Sequence, residues 1–250
     1  MSRLVYGIQP VRELLRARGG RGVRVYVQDQ QDSRRAEGVA KLARDTGAEV
    51  VAASRAELDK RTRQGMHQGV VAEGPDLVIL DGHALFDRLD AEKAPAVVVL
   101  DGVVDPHNFG AVIRSAVALG APFVVWGEHA SAPLTPVTFR ASAGAVEHAT
   151  LARVRSLPGA IRELAERGFT VVLLDPDGDV VLHEVDLTGP CAIIVGAEDK
   201  GAKPAVRKAA THRARLDMAG PVQSLNASVA SAVAVYELSR QRYSAKNSAT

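Results

Sequence analysis

Apolar Val11, Leu14 and Leu15 recur at helical spacing, and the pattern predicts an amphipathic helix over residues 3–18. Gly19-Gly20-Arg21-Gly22 reads as a loop, and the alternation over 23–27 as a strand. Ser33 is placed to cap a helix running to Thr46 and ending at Gly47. A strand over 49–52, a helix over 55–63 capped by Ser54 and a strand over 68–73 complete a β-α-β-α-β run that can fold as a small α/β domain. Gly74 and Pro75 break the pattern. Residues 75–95, with a short apolar run at 77–80 and a helix over 84–92, read as a linker.

From Ala96 the pattern changes. Residues 97–100 and 191–195 are apolar without interruption, as expected of parallel strands buried on both faces. Further strands are predicted at 123–126, 150–154, 170–174 and 212–216. Helices are predicted at 110–119, 136–141, 157–167, 204–210 and 225–240, and residues 244–250 read as a disordered tail. The alternation predicts a doubly wound parallel sheet over 96–243, a Rossmann-like α/β class preceded by the smaller α/β domain at 1–74.

Composition adds exclusions. The 250 residues are 46% hydrophobic and 24% charged, which excludes disordered and fibrous classes. One cysteine, Cys191, excludes a disulfide framework and a multi-cysteine zinc site. No run of 18 apolar residues occurs, so no membrane span is expected. The first residues lack a signal-peptide pattern, so a cytoplasmic protein is expected. The net charge of +2 hides an asymmetry. Residues 1–74 carry 14 Lys and Arg against 9 Asp and Glu, a net of +5, and the remainder carries 17 against 20, a net of −3. A solubilising surface accounts for such an excess, and so does a phosphate-bearing partner, since the planar guanidinium bonds two oxygens at once.

Ligands of open parallel sheets bind at the carboxyl ends of the strands, so the loops that follow them carry the candidate chemistry. After Leu100 come Asn108 and Arg114, at the start and second turn of a helix. After Val195 comes Gly196-Ala197-Glu198-Asp199-Lys200-Gly201, whose glycines permit close backbone approach. After Leu216 come Met218, a Gly-Pro turn, Ser224, Leu225, Asn226 and Ser228. Taken singly, each is also explained as a helix entry, with Ser224 as a simple N-cap. No dinucleotide fingerprint, P-loop or nucleophile elbow is present. Asp175-Pro-Asp177-Gly-Asp179 reads as an acidic turn, and the histidines lack metal-ligand spacing, so no metal is expected.

Together, Leu100-Asp101-Gly…Asn108-Phe-Gly110…Arg114, Ile194-Val-Gly196-Ala-Glu198-Asp-Lys-Gly201 and Leu216-Asp-Met218…Ser224-Leu225-Asn226-Ala-Ser228 resemble the three motifs of the SpoU (TrmH-type) class of SPOUT RNA 2′-O-ribose methyltransferases. Tyr6-Gly7-Ile8 and His67-Gln68-Gly69-Val70-Val71-Ala72 resemble the ribosomal-protein-like RNA-binding domain that precedes some of these enzymes. Departures occur at Asp199, where relatives often carry Gly, at Asp217, where proline is commoner, and at Ala227, where valine is commoner. They bear on loop shape more than on chemistry.

The resemblance implies a carboxyl-terminal trefoil knot, S-adenosylmethionine as cofactor, a homodimer with its site between subunits, and ribosomal RNA as partner. It points to the branch that methylates a guanosine in 23S ribosomal RNA. A family member acting on transfer RNA or conferring ribosomal antibiotic resistance, and a non-catalytic ribosome-assembly factor, stay open beside it. The implied site has Arg114 at the substrate phosphate and 2′-hydroxyl, with Asn108 and Glu198 orienting and Ser224 and Asn226 completing the pocket. Backbone near Gly196, Leu216, Met218 and Leu225 would hold the cofactor. Either Arg114 or a phosphate would take the proton, because a charged arginine is a poor base. Residues 200–215 add six Lys and Arg with Asp199 as the one neighbouring acid, a second stretch suited to RNA phosphates.

Overall fold

A computed structural model describes residues 2–29, 34–129, 134–197, 200–222 and 224–248. It divides into two compact units, Met1–Val78 with Leu134–His148, and Ile79–Pro133 with Ala149–Thr250.

The first unit contains β1 (Ser2–Tyr6), α1 (Ile8–Arg18), β2 (Arg24–Gln28), α2 (Arg34–Asp45), β3 (Glu49–Ala53), α3 (Arg55–Thr62) and β4 (Val70–Pro75). Its sheet has the order β1-β4-β2-β3, with β4 antiparallel to both neighbours and β2 parallel to β3. Period-2 alternation sorts the side chains. Val5, Val25, Val70 and Ala72 pack with Val11, Leu14 and Leu15 of α1 and Val39 of α2, whereas Tyr6, Tyr26 and Val71 pack on the other face with Leu58 of α3. The single helix expected over 3–18 is therefore corrected. Its first residues form β1, and Gly7, at φ +99°, separates that strand from α1. Ser54 caps α3, its Oγ accepting from the Glu57 amide at 3.2 Å.

Leu134–His148 supplies α6 (Pro136–Ala141) and a 3-10 turn (Ala145–His148) to this unit, although in the chain it follows three strands of the second sheet. Glu147 is buried there and receives Arg3 at 2.6 Å and Arg18 at 3.6 Å. Arg3 also lies over the Phe139 ring, 5.2 Å from its centroid. Polar anchors of this kind leave no hydrophobic periodicity to read.

The second unit contains β5 (Ile79–Leu80), α4 (Gly82–Asp90), β6 (Ala96–Asp101), α5 (Pro106–Ala118), β7 (Phe123–Gly127), β8 (Thr150–Val154), α7 (Leu157–Glu166), β9 (Thr170–Leu174), β10 (Val180–Val181), β11 (Cys191–Gly196), α8 (Pro204–Ala209), β12 (His212–Arg215) and α9 (Ala227–Ser248). Its sheet is parallel throughout, in the order β10-β12-β9-β11-β6-β7-β8-β5. Val97 and Val99 of β6 and Ala192 and Ile194 of β11 face a core shared with α4, α7 and α8. Helices α5 and α9 pack on each other and against β7 and β11. Coverage on both faces explains the uninterrupted apolar runs.

Two expectations differ from this unit. The segment 75–95, read as a linker, supplies an edge strand and α4, whose Leu85, Phe86 and Leu89 enter the core. The last helix starts at Ala227 and runs to Ser248, so most of the expected tail is helical. Polar bonds hold that end: the Gln241 side chain accepts from Leu187 N at 2.9 Å, and Arg242 donates to the carbonyls of Leu187 and Gly189 at 3.2 and 2.6 Å.

Candidate active site

The site lies at the carboxyl ends of four adjacent strands, β12, β9, β11 and β6. Strand β6 ends at Asp101, which is buried. Its carboxylate accepts from the Lys203 amide at 2.7 Å and pairs with the Lys203 ammonium at 3.4 Å, tying the first motif to the second. Asp105 caps α5 by accepting from the His107 and Asn108 amides, which places Asn108 in the first turn. Phe109 turns inward, edge-on to Trp126 at 5.3 Å.

The loop after β11 closes on itself. Ala197 and Gly201 exchange N–H···O bonds of 3.2 and 2.8 Å. A Cβ on Gly196 would lie 2.4 Å from Ala202 N and 2.5 Å from the Gly201 carbonyl carbon, so only glycine fits. Glu198 and Asp199 lie outside the described residues.

After β12 the chain reaches α9 through Asn226. Its Oδ1 accepts from the Ser228 amide at 2.9 Å, from the Ser228 hydroxyl at 2.6 Å and from the Val229 amide at 3.4 Å, while its Nδ2 donates to Asn108 Oδ1 at 3.1 Å. The cap of α9 is therefore Asn226, and Ser224 is not the N-cap. One residue joins the third motif to the first and fixes the start of a long helix.

The loops after β11 and β12 line a cavity of about 330 Å³, which no described residue of the first motif lines, within the range of small-molecule sites. Gly196, Leu216, Met218, Ser224 and Leu225 all line it, and Ala227 follows Asn226 onto the same wall. The sequence reading missed a further wall, Asp175-Pro176-Asp177 after β9, joined by Lys200 and Arg207. The rule that pointed to the other loops, polar residues directly after an apolar strand, applies there too. Asp175 is buried and takes Arg207 at 2.6 Å and Arg213 at 3.3 Å. The turn lies against β12 so closely that a Cβ on Gly178 would meet Ala214 C at 2.6 Å. Arg114 stands apart: it is exposed on α5, does not line the cavity, and has no hydrogen bond or ion pair among the described residues.

Cys191, inside β11, has its thiol pushed up to about 11 by burial, which Arg242 at 3.6 Å only partly opposes. It is packing, not chemistry. Among the described residues no group of three His, Cys, Asp or Glu is placed to hold a metal, and no helix is long and apolar enough to cross a membrane.

A cofactor-sized cavity at the carboxyl edge of a parallel sheet, in a chain whose other unit is Arg-rich, marks an α/β ligand-binding domain accompanied by a module suited to nucleic acid. The chain belongs to the SpoU rRNA methylase family, whose profile matches residues 95–236, and the profile for RNA 2′-O ribose methyltransferase substrate binding matches residues 4–76. It is thus an RNA 2′-O-ribose methyltransferase of that family. It is 40% identical to the 23S rRNA (guanosine-2′-O-)-methyltransferase RlmB of Pseudomonas syringae pv. tomato, over 97% of this chain and 98% of that protein. It is 38% identical to an uncharacterized tRNA/rRNA methyltransferase of Mycolicibacterium smegmatis, over 97% of this chain and 78% of that protein. Among solved structures, the SpoU methyltransferase AviRb of Streptomyces viridochromogenes, in complex with the cofactor AdoMet, superposes with a TM-score of 0.79 at 27% identity, covering 97% of this chain and 91% of that one.

Proposed function

We propose that this chain transfers the methyl group of S-adenosylmethionine to the 2′-hydroxyl of a guanosine in 23S ribosomal RNA, as a cytoplasmic homodimer. The observation that carries the reading is the convergence of the second and third motifs on one cavity, with Asn226 binding Asn108 of the first motif between two cavity-lining residues. The 40% identity to a 23S guanosine methyltransferase along both full lengths supports the substrate.

The cavity suits the cofactor. Leu216, Met218 and Leu225 offer apolar walls for an adenine, Gly196 leaves room for backbone approach, and the Asp175 and Lys200 regions offer both charges to an amino acid's ends. S-adenosylmethionine supplies an electrophilic methyl on a sulfonium, so the protein's tasks are alignment and proton removal. Arg114 grips the substrate phosphate and orients the 2′-hydroxyl, whose proton leaves directly to that phosphate, or to Arg114 as its guanidinium passes a proton on to the phosphate. Asn108 and Glu198 orient the ribose and Arg114, and Asn226 and Ser224 close the pocket. The deep knot implied by the motifs belongs to this proposal, supported by the close backbone approaches at Gly178 and Gly196.

Two features support dimerisation. Arg114 does not line the cavity of its own chain. The groove beside it, between α5 and α9, is apolar and exposes Val229, Val233 and Tyr236 at 46, 42 and 59%. A second copy seated on this groove would bring Arg114 of one subunit to the cavity of the other.

The test is transfer from tritiated S-adenosylmethionine to separated 23S ribosomal and transfer RNA. Label is expected in the 23S fraction. Label confined to transfer RNA would favour the reading that the tRNA/rRNA relatives leave open. Turnover by Arg114→Ala near that of the unaltered, equally folded chain would remove Arg114 from its role.

A further inference from the structure

The first unit carries two concavities with one shared wall. One, about 470 Å³, is lined by Gln28, Arg55, Gln64, Met66, His67 and Gln68. The other, about 400 Å³, is lined by Ile8, Gln9, Arg12, Arg35 and Gln68. Gln68 lines both, and its Oε1 accepts from the Ile8 amide at 3.1 Å, so its position is fixed against the first turn of α1.

The loop that shapes the first concavity is held in an unfavourable backbone. Arg63, Gln64 and Gln68 all have positive φ, at 52°, 64° and 53°. Such conformations persist where surroundings over-determine them, and they cluster at ligand-binding loops. Here His67 does the holding. It is buried, its Nδ1 accepts from the Gly69 amide at 3.0 Å, and its Nε2 therefore carries the proton toward Asp59 Oδ1, also at 3.0 Å. The consequence is a rim of exposed amides, Gln64 and Gln68, around Met66, which is 71% exposed. Amides read base edges, and a polarizable thioether packs against aromatic rings.

The second concavity has different chemistry. Arg12 and Arg35 both line it, and neither has a hydrogen bond or ion pair among the described residues. Other arginines of the unit are engaged, such as Arg61 with Glu57 and Glu73, and Arg24 with Glu49. Two guanidinium groups on one hollow, neither paired among the described residues, suit a phosphate.

We propose that this face takes one unpaired nucleotide of the RNA substrate, its base against Gln28, Gln64 and Met66 and its phosphate on Arg12 and Arg35, with Gln68 between them. Unpaired bases are what sequence-selective RNA recognition uses, because the paired major groove is closed to side chains. The proposal rests on the RNA-methylation reading and adds to it a site that selects a looped-out nucleotide.

The test measures binding of the full chain to two labelled RNAs of equal length, a hairpin with an unpaired loop and a perfect duplex, across a salt series. Arg12→Gln with Arg35→Gln should weaken hairpin binding by about 10-fold and lower the salt slope by about 1 to 1.5. Gln64→Ala with Met66→Ala should weaken hairpin binding by about 10-fold and leave duplex binding and the salt slope unchanged. An unchanged slope in the arginine variant, or equal losses for hairpin and duplex in the other, would overturn the proposal. All these side chains are at least partly exposed, and thermal unfolding of each variant checks that the fold is intact. A chain that binds the hairpin as expected but transfers no methyl defeats the methylation reading alone. A chain that binds neither RNA defeats both.

Discussion

Replacing Gly196 by alanine should disable the cofactor site from within. The added Cβ would lie 2.4 Å from Ala202 N, 2.5 Å from Gly201 C and 3.0 Å from Gly201 O. All three are backbone atoms, so no side chain can swing aside. Relief requires residues 201–202 to move and the paired Ala197–Gly201 bonds of 3.2 and 2.8 Å to open. Two net hydrogen bonds contribute about 1–3 kcal/mol, and residual overpacking costs about 1–3 kcal/mol more. The expected destabilisation is about 2–6 kcal/mol. Because Gly196, Gly201 and Ala202 all line the cavity, even about 2 kcal/mol expressed in binding weakens S-adenosylmethionine by roughly 30-fold. Urea unfolding followed by circular dichroism reads the first quantity, and calorimetric titration with S-adenosylmethionine reads the second. Gly220→Ala is the control, since a Cβ there meets nothing within 4 Å. If Gly196→Ala unfolds at the unaltered midpoint and binds with unaltered affinity, the placement of this loop against the cavity is wrong.

Further expectations follow from the same geometry. Asn226→Ala should lose about 1 kcal/mol of stability as a helix cap, and turnover should fall about 10²-fold through the broken tie to Asn108; single-turnover kinetics separates the two effects. Asp175→Asn strips the partner of Arg207 and Arg213, which are 40% and 31% exposed. Solvent therefore screens the loss to about 1–2 kcal/mol in denaturant titration, with weaker cofactor binding in calorimetry. Burial raises the Cys191 thiol to about 11 from an ordinary value of 9.0, so the folded state holds its proton more tightly. That contribution is complete below pH 9 and is lost as pH rises toward 11, by about 2–3 kcal/mol; Cys191→Ala should flatten this alkaline decline in urea midpoints. Tyr236→Glu, on the exposed apolar groove, should shift sedimentation from dimer to monomer, and an unchanged sedimentation coefficient would place the dimer contact elsewhere.

Much of the second unit was legible because physics writes it locally. Strands covered on both faces show as unbroken apolar runs, which is how β6 and β11 and the loops after them were found. In the first unit, Ser54 was visible as a cap from its residue type before a helix, whereas Asp105 starts α5 at Pro106, four residues before the helix expected over 110–119. What stayed hidden depends on distant partners. Strands β5 and β10 have two residues each, too few for any period. The last turns of α9 are held by Gln241 and Arg242 on the carbonyls and amides of 185–189, not by an apolar stripe. The 134–148 segment joins the first unit through Glu147 with Arg3 and Arg18, a charge cluster whose members lie far apart in sequence. Asn226 and Ser224 are both plausible caps by residue type, and only the observed bonds to Ser228 and Val229 choose between them.

The central claim is methyl transfer to a guanosine ribose, and one chemical property reports on it directly. A 2′-O-methyl group removes the hydroxyl that alkali uses to cleave RNA. Ribosomal RNA incubated with this chain and tritiated S-adenosylmethionine should therefore release, after complete alkaline hydrolysis, its label in a single dinucleotide with guanosine on the 5′ side. Label recovered in mononucleotides would place the methyl on a base and contradict the account.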